Sequence, residues 1–295
     1  MIFELSVFCM ALASSDLQAR SYPDVAKAHS DMMKISMEDI SVPERNRRIE
    51  AVFKSVKSEV DRISLSHMKD ADVKEYFDIS HFVAFDTLKP EFARIMRSAL
   101  DEMSHRKLDV LRPQQDMLKI YVADRMLDDV RKYAASVRDG MALPRFEDDA
   151  ISHGAYPTLW YLSGDASSVL RYSYPLNEGT KVVVTGHPWC HFSRNAAKDI
   201  EDDLRIANLM ERYSIWVVPQ HPMPNFSDIA QWNVQHPRLR MRVAYNADEW
   251  PAISNWATPT FFFFKDGRLI DTVTGWPDAR QADRLMVAFR AVGVE

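Results

Sequence analysis

The sequence predicts an all-α domain followed by an α/β domain with a mixed sheet that helices cover on both faces. Three observations lead to this fold class. Apolar residues recur at helical spacing through residues 20–139. After Tyr156 the pattern changes to short β-rich runs that alternate with helical segments. The last two β-rich runs are joined by Asp266-Gly267 and precede one more helical segment, which indicates a hairpin followed by a helix.

The composition is that of a folded chain without an affinity for nucleic acid. Its 295 residues are enough for two domains of ordinary size. Hydrophobic residues make up 46% and charged residues 27%, which argues against disorder. A net charge of -5 and the lack of a basic cluster argue against a nucleic-acid partner. No stretch is long and uncharged enough to span a bilayer, so we expect no transmembrane segment.

Residues 1–19 have features of a signal peptide. Leu5–Ala13 is a short apolar run whose last three residues fit a signal-peptidase site, and a second candidate site ends at Ala19. However, no basic residue precedes the run, and Glu4 stands at its start. Two interpretations follow: a cleaved leader predicts a periplasmic or secreted protein, and an apolar start to the first helix predicts a cytoplasmic one. Removal of the leader would take Cys9 with it and leave Cys190 as a single thiol.

The region 20–139 is predicted to be a helical bundle or a short helical-repeat domain. Pro43 falls in the first turn of a helix that runs to about Ser64, a position where proline is tolerated. Residues 121–135 are similar to half of a tetratricopeptide-type hairpin, but no period of about 34 residues recurs. Residues 140–155, with Pro144 and an acidic cluster, are predicted to be a linker. Further helices are predicted at Asp72–Phe85, Pro90–Ser104, Pro113–Tyr121 and Arg125–Val137.

The domain 156–295 is predicted to begin with a hairpin around Gly164-Asp165 and to continue with alternating strands and helices. The predicted strands are Thr158–Ser163, Val169–Tyr174, Lys181–Thr185, Ser214–Val218, Met241–Tyr245, Thr260–Phe264 and Leu269–Thr274. The predicted helices are Cys190–Tyr213, Asn225–Gln235, Ala247–Trp256 and Ala279–Val292.

Three features of this domain stand in an order that resembles the thioredoxin superfamily. Residues 182–193 are Val-Val-Val-Thr-Gly-His-Pro-Trp-Cys-His-Phe-Ser, a buried-strand pattern that leads into a Trp-Cys pair and a helix. A Thr-Pro pair, Thr258-Pro259, precedes the next strand, and the Asp-Gly hairpin with a later Gly275 follows. The resemblance covers residues 156–295 and implies a thioredoxin-like fold.

The spacing within this pattern narrows the resemblance to one branch. Pro259 lies 69 residues after Cys190, which leaves room for an inserted helix and strand, as in the redoxin branch with its TlpA-like reductases and peroxiredoxins. Peroxiredoxins carry a threonine three residues before their cysteine, whereas this chain has His187, so a peroxidase is disfavoured. Cys-His-Phe-Ser is also similar to the monothiol glutaredoxin motif Cys-Gly-Phe-Ser, but the long spacing to Pro259 argues against that branch.

Cys190 is the predicted reactive group. A thiol at a helix N-terminus faces unpaired N–H groups and the positive end of the helix dipole, which favour thiolate. His187 and His191 flank it and would lower its pKa further if they were protonated. Ser193 stands where a Cys-x-x-Cys enzyme has its second cysteine, so a mixed disulfide would need a substrate thiol or an external thiol for its resolution. Val184 replaces the buried acid of thioredoxins, a departure that weakens the enzyme interpretation.

The resemblance also implies a docking groove beside the thiol. The Thr258-Pro259 bond is expected to be cis, and the backbone of Thr258 is expected to pair with an extended partner peptide. Four aromatic residues are predicted to border the groove, although core packing is the alternative for each: Trp189, Phe192, Trp256 and Trp276.

Two functions remain open from the sequence. The first is monothiol thiol–disulfide exchange through Cys190, of isomerase or thiol-capture type, on protein thiols or disulfides, with glutathione or a partner reductase as an external thiol. The second is a non-catalytic thioredoxin-fold scaffold that docks a partner peptide. His187, Cys190 and His191 have suitable donor atoms for a metal, but a fourth ligand is not identified, so we expect neither a metal nor another cofactor.

Overall fold

A computed structural model describes residues 23–137, 143–148, 156–221 and 225–294, so the predicted signal peptide lies outside the described residues. None of the helices within these ranges has the length and apolar character needed to cross a membrane. The N-terminal part is helical, as predicted. Its helices are α1 Val25–Ser36, α2 Val42–Ile63, α3 Asp70–Thr87, α4 Pro90–His105, α5 Leu111–Ala123 and α6 Leu127–Ala134.

The helical part is held together by apolar faces that match the spacing seen in the sequence. Pro43 lies in the first turn of α2, where its missing N–H leaves no helical bond unmade. Phe53 of α2 stacks on Tyr76 of α3 at 5.9 Å and meets Phe92 of α4 edge-on at 5.5 Å. All three rings are buried, so α2, α3 and α4 share one core.

The α/β part is built on one mixed sheet of eight strands in the order β1-β3-β2-β6-β5-β4-β7-β8. β4 lies between a parallel neighbour, β5, and an antiparallel neighbour, β7. β8 forms an antiparallel edge next to β7. The strands are β1 Arg145–Asp148, β2 Thr158–Leu162, β3 Ser168–Ser173, β4 Thr180–Thr185, β5 Ser214–Val218, β6 Met241–Ala244, β7 Thr260–Lys265 and β8 Arg268–Thr274.

Both faces of the central strands are buried, because β4 and β7 are apolar on consecutive residues. Val182 and Phe263 pack on one face with residues of the helices that follow β4 and β8. Val183 and Phe262 pack on the other face with Trp250 from the segment after β6. The remaining helices are α7 His191–Asp202, α8 Leu204–Tyr213, α9 Phe226–Gln235 and α10 Gln281–Ala291.

Two predicted helices differ in the structure. The helix predicted at Cys190–Tyr213 is broken at Asp203, whose extended backbone ends α7 and whose carboxylate accepts N–H bonds from the first turn of α8. The helix predicted at Ala247–Trp256 is reduced to a 3₁₀ turn, Ala247–Glu249. Pro251 accounts for this, since a residue before proline avoids the helical region and proline itself offers no N–H donor.

The predicted linker 140–155 contains a strand in its described part. Residues Arg145–Asp148 form β1, which pairs in parallel with β3 and places Phe146 opposite Val169. Phe146 also packs on Trp160 at a ring separation of 5.2 Å. The segment therefore extends the sheet, and it is not only a connection between two domains.

Arg125, in the turn after α5, fastens the helical part to the sheet. Its guanidinium group donates to the carbonyl oxygens of Ala244 at 2.8 Å and Tyr245 at 2.7 Å. The same group lies 3.7 Å from the ring centre of Trp160, in cation–π geometry. Burial lowers the pKa of Arg125 to about 9, yet the two carbonyl oxygens and the face of the Trp160 ring stabilise its positive charge. The helical part and the end of β6 are thus joined by one buried cation.

Candidate thiol site

Cys190 lies at the N-cap position of α7, one short turn after the buried strand β4. Its backbone N–H donates to the carbonyl of His187 at 3.0 Å, and its own carbonyl accepts from Arg194 at 3.1 Å to begin the helix. The side chain is partly exposed. The sequence placed the sulfur correctly at the head of a helix, and it is open to a partner molecule.

The loop that enters β7 meets this sulfur. The Cys190 thiol donates to the carbonyl oxygen of Thr258 at 3.2 Å across 68 residues of chain. The bond between Thr258 and Pro259 is cis, as the resemblance implied. Thr185 holds the loop in place, because its hydroxyl donates to the carbonyl of Ala257 at 2.7 Å. The cysteine and the Thr-Pro pair therefore form one site.

Most polar groups around the thiol are donors that favour its ionised form, whereas the Thr258 carbonyl, which accepts from the thiol, favours the neutral form. Burial raises the pKa of Cys190, but hydrogen bonds from the Thr258 and Ser193 side chains and from the N–H groups of Ser193 and Phe192 outweigh it. The net effect is a pKa below the ordinary value for cysteine. Such a thiol holds more thiolate at neutral pH than a free cysteine does, and thiolate is the nucleophilic form.

Ser193 has a definite place in this arrangement. It is fully buried in the first turn of α7, and its oxygen accepts the N–H of His187 at 3.3 Å. Its hydroxyl can then donate to the Cys190 sulfur. The residue that replaces a second cysteine thus binds the turn before the thiol, and it brings no second sulfur to the site.

The two flanking histidines do not act on the thiol as expected. Burial, and then the nearby His221, lower the pKa of His187, so at neutral pH this ring does not supply a positive charge. His191 is exposed, and its ring nitrogen lies 3.1 Å from the side-chain amide of Asn195, one turn further along α7. Hydroxyl and backbone amide donors therefore account for the lowered pKa of Cys190.

The four predicted border aromatics occupy different environments. Trp189 and Phe192 are each 51% exposed on either side of Cys190 in the chain. Trp256 is half-buried and meets Trp250 edge-on at 6.4 Å. The prediction for Trp276 is wrong, because this side chain is 1% exposed and packs in the core under β7. Two aromatic residues remain on the surface next to the thiol.

Two of these tryptophans bind polar partners through contacts that the sequence analysis did not predict. The indole N–H of Trp189 donates to Asp228 near the start of α9. The indole N–H of Trp276 donates to Asp199 of α7 at 2.8 Å. Asn225 caps α9 and also donates to Asp228 at 2.7 Å, an arrangement that the Asn-x-x-Asp spacing could have suggested.

Within the described residues, no group of three or more His, Cys, Asp or Glu side chains is placed to hold a metal ion.

The α/β part follows the thioredoxin-like arrangement predicted from the sequence. In the strand order β6-β5-β4-β7-β8, the thiol helix α7 follows the central strand and the Thr258-Pro259 pair enters its antiparallel neighbour. The fold is thioredoxin-like. This assignment depends on the topology of the chain itself.

Comparison with known proteins adds little to this assignment. No protein-family model matches the chain, and no curated protein matches it. Among solved structures, a thioredoxin-like protein from Bacteroides caccae ATCC 43185 has 12% sequence identity and a TM-score of 0.29, over 82% of this chain and 93% of that chain. A similarity at this level assigns neither an activity nor a branch of the superfamily.

Proposed function

We propose that this protein is a redoxin-like, TlpA-related monothiol that carries out thiol–disulfide exchange with protein substrates through Cys190. The observation that supports the proposal best is the position of the sulfur. It is partly exposed at the head of α7, it contacts Thr258 at 3.2 Å, and its pKa lies below the ordinary value. A sulfur with these three properties can attack a disulfide that approaches along the Thr258 loop.

In the proposed reaction the Cys190 thiolate attacks one sulfur of a partner disulfide. A new S–S bond forms between the two proteins, the partner S–S bond breaks, and the leaving sulfur departs as a thiolate that takes a proton from water. Ser193 offers no sulfur for the second step. The mixed disulfide is therefore resolved by another thiol of the same partner, which gives isomerisation, or by glutathione or a partner reductase.

The exchange proposal is tested first by the reactivity of the thiol. We expect the rate of Cys190 alkylation by iodoacetamide to rise with pH about a midpoint below that of a free cysteine peptide. Cys190→Ala should abolish the labelling of a chain without residues 1–19. Labelling that is slow at every accessible pH would remove the basis for the exchange chemistry.

A trapping experiment then tests the protein substrates. The wild-type chain, Cys190→Ala and Ser193→Cys are incubated with an oxidised protein that carries non-native disulfides, such as scrambled ribonuclease. With the wild-type chain we expect mixed disulfides on non-reducing gels, and with Cys190→Ala we expect none. With Ser193→Cys the mixed disulfides should be shorter-lived, because the new cysteine supplies a resolving thiol. A rate of ribonuclease reactivation no faster than with glutathione alone would refute isomerisation, and adducts equal in wild type and Cys190→Ala would refute thiol capture.

A docking scaffold is the second candidate, and two observations favour it. Trp189 and Phe192 expose about half of their surface on either side of Cys190 in the chain, as an apolar peptide site would require. Val184 is fully buried where thioredoxins keep an acid. Binding that is unchanged in Cys190→Ala and lost in a Trp189→Ala, Phe192→Ala double variant would support the scaffold and not the exchange reaction.

The cell compartment follows from the first residues of the chain. We propose that residues 1–19 direct export, so that Cys190 works in the periplasm or outside the cell, where disulfides persist. Mass determination of the mature protein tests this directly. An intact N-terminus in the cytoplasmic fraction would contradict export.

A further inference from the structure

The helical part reaches the thiol site through the segment that follows β5. Gln220 bridges two parts of the molecule: its side-chain amide donates to the carbonyl of Ala123 at the end of α5 at 2.9 Å, and its oxygen accepts the N–H of Ala247 at 3.1 Å. Arg125, two residues after Ala123, fastens the end of β6 in the same way. The loops beyond β5 and β6 are thereby held against the helical part.

The residue next to Gln220 faces the thiol site. The ring of His221 lies 5.9 Å from Phe85 of α3 and 6.3 Å from His187, the residue three positions before Cys190. His187 in turn lies 5.2 Å from the exposed ring of Trp189. A continuous row of rings therefore runs from helix α3 to the turn that carries the thiol.

The turn before Cys190 depends on the protonation state of His187. The backbone N–H of Trp189 donates to Nδ1 of His187 at 3.2 Å. A backbone N–H can only donate, so Nδ1 must carry a lone pair, and a doubly protonated ring would lose this bond. The N–H of Cys190 also binds the His187 carbonyl at 3.0 Å. A neutral His187 is thus part of the turn that positions the sulfur.

Three influences set the charge of this ring. Burial, which is the largest, and the neighbouring His221 lower the pKa of His187, whereas Asp228 of α9 raises it. Asp228 belongs to the α/β part. His221 is the contributor that the helical part holds in place, through Phe85 and through the clamp on Gln220.

We propose that Gln220 is a positioning residue through which the helical part keeps His221 beside His187, so that the turn before Cys190 retains its hydrogen bonds. The helical part is then a support for the thiol site as well as a neighbouring domain. The functional meaning of this inference rests on the exchange activity proposed above. Its test needs no exchange partner, so the two proposals can fail separately.

The test follows the titration of His187 by NMR of its ring protons in the full chain, with the signal assigned from a His187→Gln variant. Gln220→Met keeps the side-chain volume and removes both hydrogen bonds, and Gln231→Met, at an exposed position on α9, is the matched control. We expect the His187 midpoint to move to higher pH in Gln220→Met and in His221→Phe, and to stay in place in Gln231→Met.

The outcomes separate a positioning role from a structural one. A Gln220→Met protein that is less stable but titrates His187 at the wild-type midpoint would overturn the role of Gln220. An unchanged midpoint in His221→Phe would overturn the electrostatic link between the two rings. If Gln220→Met does not fold, Gln220→Asn takes its place, because it adds no charge and its amide is one methylene too short to reach both Ala123 and Ala247.

Discussion

The substitution Gly186→Ala tests how tightly the core is packed beneath the thiol site, because it adds a single methyl group there. This residue follows β4, donates its N–H to Val217 at 3.0 Å and is buried. A Cβ atom at this position would lie 2.8 Å from Cε3 of Trp216 and 3.1 Å from Cε of Met241. Carbon atoms in good contact stand about 3.5–4.0 Å apart, so Gly186→Ala must displace one of these groups.

The cost of Gly186→Ala follows from what the methyl group meets. Trp216 is 1% exposed and Met241 is 0% exposed, so neither can move into solvent. Overpacking of a closed core costs about 1–3 kcal/mol, and we expect a loss of roughly 2–3 kcal/mol in the free energy of unfolding. Gly164→Ala is the matched control, because the hairpin around Gly164 is exposed and leaves nothing within 4 Å of the added atom.

Urea denaturation followed by far-UV circular dichroism measures both variants against wild type. Gly164→Ala should be neutral or more stable by about 0.4–1 kcal/mol, since alanine restricts the unfolded chain. In a Trp216→Phe background, which removes the atoms nearest to the new methyl group, Gly186→Ala should cost less than it does in wild type. Equal stabilities for Gly186→Ala and Gly164→Ala would refute this account of the packing.

Three further predictions concern the thiol and the buried groups around it. Ser193→Ala removes a donor to the thiolate, so the pKa of Cys190 should rise and its alkylation rate at neutral pH should fall; an unmoved pH profile would exclude this role for the hydroxyl. Trp276→Phe removes the bond to Asp199 and should lower the free energy of unfolding by about 1–3 kcal/mol with unchanged alkylation, whereas a slower alkylation rate would return Trp276 to the site. Burial raises the pKa of Asp124 to about 7, so the folded protein binds this proton more tightly than the unfolded chain, and the resulting stability is complete at low pH and lost as the pH rises through about 7. Asp124→Asn should flatten that part of the curve of unfolding free energy against pH, and an identical slope in wild type and variant would contradict the prediction.

Most helices and strands were predictable because their signals are local. The helix after Pro43 and the strand of four phenylalanines each occur within a few residues of the predicted bounds. The prediction failed at Ala247–Trp256, although the breaking residue, Pro251, was visible in the sequence. It also missed the strand Arg145–Asp148, whose four residues carry no pattern of their own and depend on pairing with β3.

The sequence by itself determined the kind of site: one thiol, Cys190, at the head of a helix, with Thr258-Pro259 on the next antiparallel strand. The local signals of a strand and a helix are enough to place Cys190, whereas the resemblance to the thioredoxin superfamily implied that Thr258-Pro259 lies beside it. Only the tertiary structure decided which groups act on the sulfur. The Ser193 side chain lowers its pKa, the His191 ring lies beside Asn195, and Trp276 is buried while Trp189 is not. These outcomes depend on the packing of helices that are far apart in the chain, and side chains of one type give the same sequence signal in either environment.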